Sequence, residues 1–225
     1  MNRWKHPGLS LLVFFALVVP CMAGDIVDRV VAVVNGHLIL QSDWEQEIAS
    51  EAFLNARAGD SYTGDERKVA LDRLIDQELL REQVRTSDPA PREQVAARVA
   101  EVRKLHSEAT SDESWLATLK KNGLTQAALE KRLADEIQLM RGVEARLRPS
   151  IQIDQQAIES YYRDDLLPSL KKNGGREVAL GEVFGRIKDL LAEQRLNQLL
   201  TGWLATLRSG SRIQTFQTTP GEESR

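Results

Sequence analysis

The sequence predicts a mainly α-helical chain with one small β element, and three observations carry that reading. Residues 29–43, Arg-Val-Val-Ala-Val-Val-Asn-Gly-His-Leu-Ile-Leu-Gln-Ser-Asp, set two β-rich runs around Asn35-Gly36, the pair best able to take the two positive-φ positions of a type I′ turn. From there to about residue 208 the apolar residues recur every three to four positions, the period of amphipathic helices. Residues 211–216, Ser-Arg-Ile-Gln-Thr-Phe, are the only other alternating stretch. A two-stranded hairpin is marginal in water without a third strand or a packed helix, so residues 211–216 are expected to pair with the N-terminal hairpin and join the chain ends in one domain.

Residues 1–23 begin with a basic stretch containing Arg3, Lys5 and His6, continue with an apolar run from Leu9 to Val19, and close on Cys21-Met22-Ala23. This reads as a secretory signal peptide cut after Ala23. The run is shorter than the roughly 20 apolar residues that span a bilayer, so no membrane span is expected after cleavage, and Pro20 argues against lipidation at Cys21. Cys21 is the only cysteine, so the mature chain would have no thiol, disulfide or Cys₄ zinc site. A single domain of about 200 residues can hold itself together through its apolar core. Losing Arg3 and Lys5 takes the formal charge from −3 to −5, a mildly acidic, intermixed balance that argues against nucleic-acid binding.

The hairpin is expected to run directly into a helix over residues 43–58, with Ser42 and Glu45 as a capping box. Trp44, Ile48, Ala52 and Leu54 mark its apolar face, and Gly59-Asp60 ends it. Thr63 and Glu66 make a second box for a helix bearing Val69, Leu71, Leu74, Ile75, Leu79 and Leu80, which stops near Thr86-Ser87. Asp88-Pro89 offers a cap and a first-turn proline to a helix with Val95, Val99, Val102 and Leu105. Thr110 and Glu113 form a third box before Trp115, Leu116 and Leu119, closed by Asn122-Gly123. Thr125 caps the most regular helix, with Leu129, Leu133, Ile137, Met140, Val143 and Leu147 on one stripe, ending before Arg148-Pro149.

Asp154 caps the next helix, containing Ile158, Tyr161, Tyr162 and Leu166, where Pro168 demands a kink or a stop near Leu167. Residues 171–176, Lys-Lys-Asn-Gly-Gly-Arg, are the clearest linker. A long helix over residues 180–208 follows, with Val183, Ile187, Leu190, Leu191, Leu200, Trp203, Leu204 and Leu207, stopped by Ser209-Gly210. The expected organisation is a signal peptide (1–23), a helical core (24–171), a linker (172–179), a helix and strand completing the same domain (180–216), and a disordered tail (217–225).

The residues that usually carry chemistry are sparse. His37 and His106 fit no metal-ligand spacing and read as a solvated turn residue and a cation at a helix C-terminus. Asp135-Glu136 and Asp164-Asp165 sit about 100° apart on a helix and do not face each other. No phosphate-binding loop or nucleophile elbow is present, so no catalytic, cofactor or metal residue is expected. Trp44, Trp115, Trp203, Tyr161 and Tyr162 lie on or beside apolar stripes and read as core or groove. Leu124, Leu139 and Ala145 lie off the main stripe of residues 129–147, so that helix can bury one side and offer another to a polypeptide.

Residues 27–43, with Val34-Asn35 followed by Ile39-Leu40 and Ser42-Asp43, resemble the opening of the SurA-type periplasmic chaperones. Residues 71–80, Leu-Asp-Arg-Leu-Ile-Asp-Gln-Glu-Leu-Leu, and 158–162, Ile-Glu-Ser-Tyr-Tyr, are similar to two further family segments, and residues 191–195 and 203–208 look like its C-terminal piece. The resemblance implies a helical chaperone domain with its N-terminal hairpin paired to a C-terminal strand. Family members usually carry parvulin prolyl isomerase domains between the Tyr-Tyr helix and the final helix, where this chain has only its Lys-Lys-Asn-Gly-Gly linker. It therefore implies ATP-independent binding of unfolded exported polypeptides, outer-membrane protein precursors among them, without isomerase activity. The expected client lining is Leu133, Ile137, Met140, Val143, Leu147, Tyr161 and Tyr162. Two alternatives stand beside it: a dedicated assembly partner of one envelope or secretion-system protein, and a degenerate prolyl isomerase.

Overall fold

A computed structural model describes residues 28–57, 62–84 and 88–216. Strands β1 (Val30–Val34) and β2 (His37–Leu40) meet at Asn35 and Gly36, whose φ angles of 50° and 96° are those a type I′ turn requires. The third strand, β3 (Ile213–Thr215), pairs antiparallel with β1 and gives the order β2-β1-β3. The C-terminal segment thus returns to the hairpin as its alternation predicts. Asn35 clasps this junction: its N–H donates to the Arg212 carbonyl at 2.9 Å, and its Oδ1 accepts from the Arg212 N–H at 2.9 Å. Its Nδ2 donates to Glu82 at 2.7 Å.

Helix α1 (Gln41–Leu54) starts without a connecting residue, two positions before the sequence-based start at residue 43. The Asp43 carboxylate accepts the Leu40 N–H at 3.0 Å and performs the capping assigned to the Ser42–Glu45 pair. Ser42 is drawn elsewhere, because the Asp28 carboxylate captures both its hydroxyl and its N–H; Glu45 accepts from Gln41 instead. Helix α2 (Gly64–Gln83) has its expected box: Thr63 Oγ1 accepts the Glu66 N–H at 3.3 Å and Glu66 accepts the Thr63 N–H at 2.9 Å. Helix α3 (Arg92–Leu105) begins after Pro91 rather than at Asp88-Pro89. A proline biases the preceding residue away from the α region, so Pro91 keeps Ala90 out of the helix.

Helix α4 (Asp112–Lys121) is capped one residue later than Thr110–Glu113. Ser111 Oγ accepts the Ser114 N–H at 3.2 Å and Ser114 Oγ accepts the Ser111 N–H at 2.9 Å. Gly123, at φ 70°, follows its end. Thr125 caps α5 (Gln126–Leu147) and Asp154 caps α6 (Gln155–Tyr161), both as expected. At Pro168 the helix does not stop. It widens into a π turn over Tyr162–Leu166, then resumes as α7 (Leu167–Lys172) with Pro168 in its first turn, where the missing N–H is not needed. Gly175 N–H to Leu170 O (2.8 Å) and Gly174 N–H to Lys171 O (3.3 Å) close α7 as a Schellman stop. Helix α8 (Leu180–Gly210), about 46 Å long at 1.5 Å per residue, leads into β3.

Three apolar clusters hold these elements. Phe53, Val99, Val102, Ala109, Trp115, Leu119, Leu129 and Leu133 join α1, α3, α4 and α5. Val31, Ala32, Val34 and Ile39 of the sheet pack on Ile75 and Leu79 of α2, with Leu207 and Ile213 at the margin. Ile158, Val183 and Ile187 join α6 to the first half of α8. Phe53 and Leu196, buried yet absent from the sequence-derived faces, belong to the packed interior, whereas Val69, Leu105, Leu116 and Leu190 lie exposed on theirs. The expected signal peptide and the tail over residues 217–225 fall outside the described residues, as do Gly59-Asp60 and Thr86-Ser87. Both helices end before those pairs, α1 at Leu54, where Asn55 and Ala56 (φ 50°) leave the helix, rather than at residue 58, and α2 at Gln83.

Candidate functional site

Where α1, α2, α5 and α8 converge, their packing leaves an open groove of about 530 Å³. Its apolar lining comes from four helices: Leu54 of α1, Leu80 of α2, Leu129, Leu139 and Met140 of α5, and Leu204 of α8, with Leu124 just ahead of α5. Its rim is charged, and its cations are paired with acids of the same chain. Arg73 pairs with Glu51, whose carboxylate holds the guanidinium pKa above its ordinary value. Arg132 meets Glu47 at 2.7 Å, and Lys131 meets Asp135 at 2.6 Å. Arg208 of α8 donates to Asp76 at 2.6 Å and to Asp72 at 3.2 Å, fastening α8 to α2; the Asp76 hydrogen bond also raises its pKa.

A second depression, of about 400 Å³, continues from the first and shares Gln46, Gln77, Arg81, Arg132 and Asp135 with it. One side is β2, through His37, Leu38 and Ile39; α5 contributes Arg132 and Asp135, and α2 contributes Leu74 and Glu78. Glu47 is 4% exposed and is neutralised by Arg132, whose Nε is buried with no hydrogen-bond partner.

The structure separates the seven residues expected to line a client site. Met140, 39% exposed, lines the groove. Leu133 and Val143 are completely buried, Leu133 in the cluster around Phe53 and Trp115. Ile137 and Leu147 are half-buried and outside the groove lining. Tyr161 and Tyr162 pack on the Ile158–Val183–Ile187 cluster, where the Tyr162 hydroxyl donates to the Val178 carbonyl at 2.7 Å. Leu54, Leu80 and Leu204 were legible as stripe residues but not as neighbours. Leu124 and Leu139 had the better signal, since they are apolar and off the main stripe.

His106 stands at the C-terminus of α3, where its reading placed it, but it is turned into the packed interior. It is 9% exposed, its ring stacks on Phe53 at 4.3 Å, and its Nε2 lies 2.9 Å from the Phe53 carbonyl. The loop after α3 turns it inward to join α1 to α3. His37 is exposed as expected, with Nδ1 3.5 Å from Glu78. Among the described residues no group of three or more His, Cys, Asp or Glu side chains could hold a metal ion, and no helix is long and apolar enough to cross a membrane.

The described residues thus form a mainly helical body with a sheet made from an N-terminal hairpin and a C-terminal strand, beside an open groove whose rim carries paired charges. The chain belongs to the SurA-like N-terminal domain family, whose model matches residues 7–143, more than half of its length. No curated protein matches it. The matched stretch ends within α5, so α6 to α8 and β3 lie beyond it, and α7 joins α8 through residues 173–179 with no parvulin module between them.

Proposed function

We propose that this protein is a periplasmic, ATP-independent chaperone that binds unfolded exported polypeptides, outer-membrane β-barrel precursors in particular, without isomerase activity. The observation that carries the reading is the groove: four helices supply its leucines and Met140, while the cations at its rim are paired with acids of the same chain. Apolar contacts are non-directional, and leucine and methionine adapt to differing side chains. A groove of this kind suits many sequences and releases them readily. The basic and apolar leader over residues 1–23 supports export, and family membership supports the chaperone class.

The deciding measurement is light scattering of a urea-unfolded β-barrel membrane protein diluted into buffer with equimolar protein. Scattering should fall without nucleotide, and a Met140→Lys, Leu204→Lys variant that keeps its thermal unfolding transition should lose the effect. Unchanged scattering with the native protein would remove the chaperone reading. N-terminal sequencing of the exported protein should begin at Gly24; an intact Met1 would remove the cleaved-leader part.

A further inference from the structure

The backbone of β2 is half used. The Phe216 N–H donates to the Val31 carbonyl at 2.9 Å and the Asn35 N–H to the Arg212 carbonyl at 2.9 Å, so the odd-numbered residues along β1 direct their backbone groups toward β3. The even-numbered ones therefore face β2, and in the register Val34↔His37, Val33↔Leu38, Ala32↔Ile39 the residues of β2 that bond to β1 are His37 and Ile39. In an antiparallel pair the residue between two such positions turns its N–H and C=O the other way. Leu38 is that residue, and the order β2-β1-β3 puts no strand beside it.

That edge does not face open solvent alone. Leu38 lines the depression that Arg132 and Asp135 of α5 and Gln77 and Arg81 of α2 also line, and this depression runs into the leucine-lined groove. An extended polypeptide lying there meets a backbone donor and acceptor at Leu38 and then an apolar floor. Its own main chain is the one chemistry that complements both groups at the edge whatever its side chains are. The charges nearby are already engaged: Glu47 by Arg132, Asp135 by Lys131, Glu78 by His37 and Arg81, and Asp43 by the Leu40 N–H. Edge strands are usually blunted by charge, proline or a covering element; here the exposed position carries Leu38, 52% exposed.

We infer that an extended client segment adds to β2 as a fourth strand, pairing its main chain with Leu38 and continuing into the apolar groove. The pairing is short. Leu40 has given its N–H to Asp43, so Leu38 alone offers both groups, and the attachment is correspondingly exchangeable. The inference rests on the chaperone reading above and names the conformation of what that site takes.

The test uses the full chain, residue-resolved amide hydrogen exchange, and a neutral peptide of about ten residues alternating Val and Gln, the length of a long strand. On saturation with the peptide the Leu38 amide should exchange about tenfold more slowly, as for a newly formed hydrogen bond. The His37 and Ile39 amides, already bonded to β1, should not change. The same peptide N-methylated at every amide keeps its side chains but has neither edge free to pair, and it should bind about tenfold more weakly. Binding with Leu38 exchange unchanged, equal binding of the methylated peptide, or a Leu38 amide already protected in the free protein would each overturn strand addition. If aggregation of the unfolded barrel protein is still suppressed, the chaperone reading survives that failure. If neither peptide binds and aggregation proceeds unchecked, both readings fall.

Discussion

Glu47 and Arg132 form the most demanding contact in the molecule, a carboxylate 4% exposed against a guanidinium that is itself one hydrogen bond short. Removing one member of such a pair leaves an uncompensated charge, while replacing both by apolar groups is often neutral. Arg132→Leu should therefore lower stability by about 3 kcal/mol, and Glu47→Leu with Arg132→Leu should restore most of it; urea unfolding of both variants measures this. Glu66 sets a pH dependence at the same scale. The Thr63 N–H first, then the Arg57 guanidinium, lower its pKa, so it releases its proton more easily folded than unfolded. Its contribution is complete above the ordinary carboxylate value of the unfolded chain and is lost as pH falls through the lower, folded value. Glu66→Gln should be less stable than the native protein at neutral pH and converge with it in acid, as read by thermal unfolding across pH. Local residues such as Thr63, Thr125 and Asp154 were legible because each cap partner lies three positions away. His106 and Ser42 were not, because Phe53 and Asp28, distant in sequence, decide where they point.

Helix α8 carries Gly185 and Gly202 in its interior, both exposed, and a Cβ built on either meets nothing within 4 Å. Alanine is favoured over glycine in a helix interior by about 1 kcal/mol, so Gly185→Ala and Gly202→Ala should each raise stability by about that amount in urea unfolding. A loss at either position would mean that the helix needs local freedom there. Periodicity gave the existence of α2, α5 and α8 almost to the residue, since each buries a long stripe. It failed at α3 and α4, where Pro91 and Ser111 moved the starts. At Pro168, periodicity posed the choice between kink and stop without offering the π turn that the helix adopts.

The joining of the chain ends was legible because a hairpin needs a third strand and one unclaimed alternating segment remained. The groove was not. It is defined by what α1, α2, α5 and α8 leave unfilled when they converge, and no single stripe encodes that remainder. For the same reason Leu133 and Val143, on the best stripe, went to the interior, and Met140 alone of the seven reached the groove. Deleting residues 211–216 removes β3, the Ile213 contact and both hydrogen bonds between Asn35 and the Arg212 backbone. The shortened chain should melt at lower temperature and expose β1 amides to exchange; an unchanged melting curve would show that the sheet does not depend on its third strand.

The Asn35–Arg212 clasp spans 177 positions of sequence, and that distance bears on how the molecule comes into being. Contacts of such separation close late, because the intervening chain must be ordered before they can form. Until β3 docks, β1 keeps the side that faces it unpaired. A folding intermediate that has its hairpin but not yet this clasp thus carries an open strand edge, and it is subject to the aggregation hazard that such edges carry.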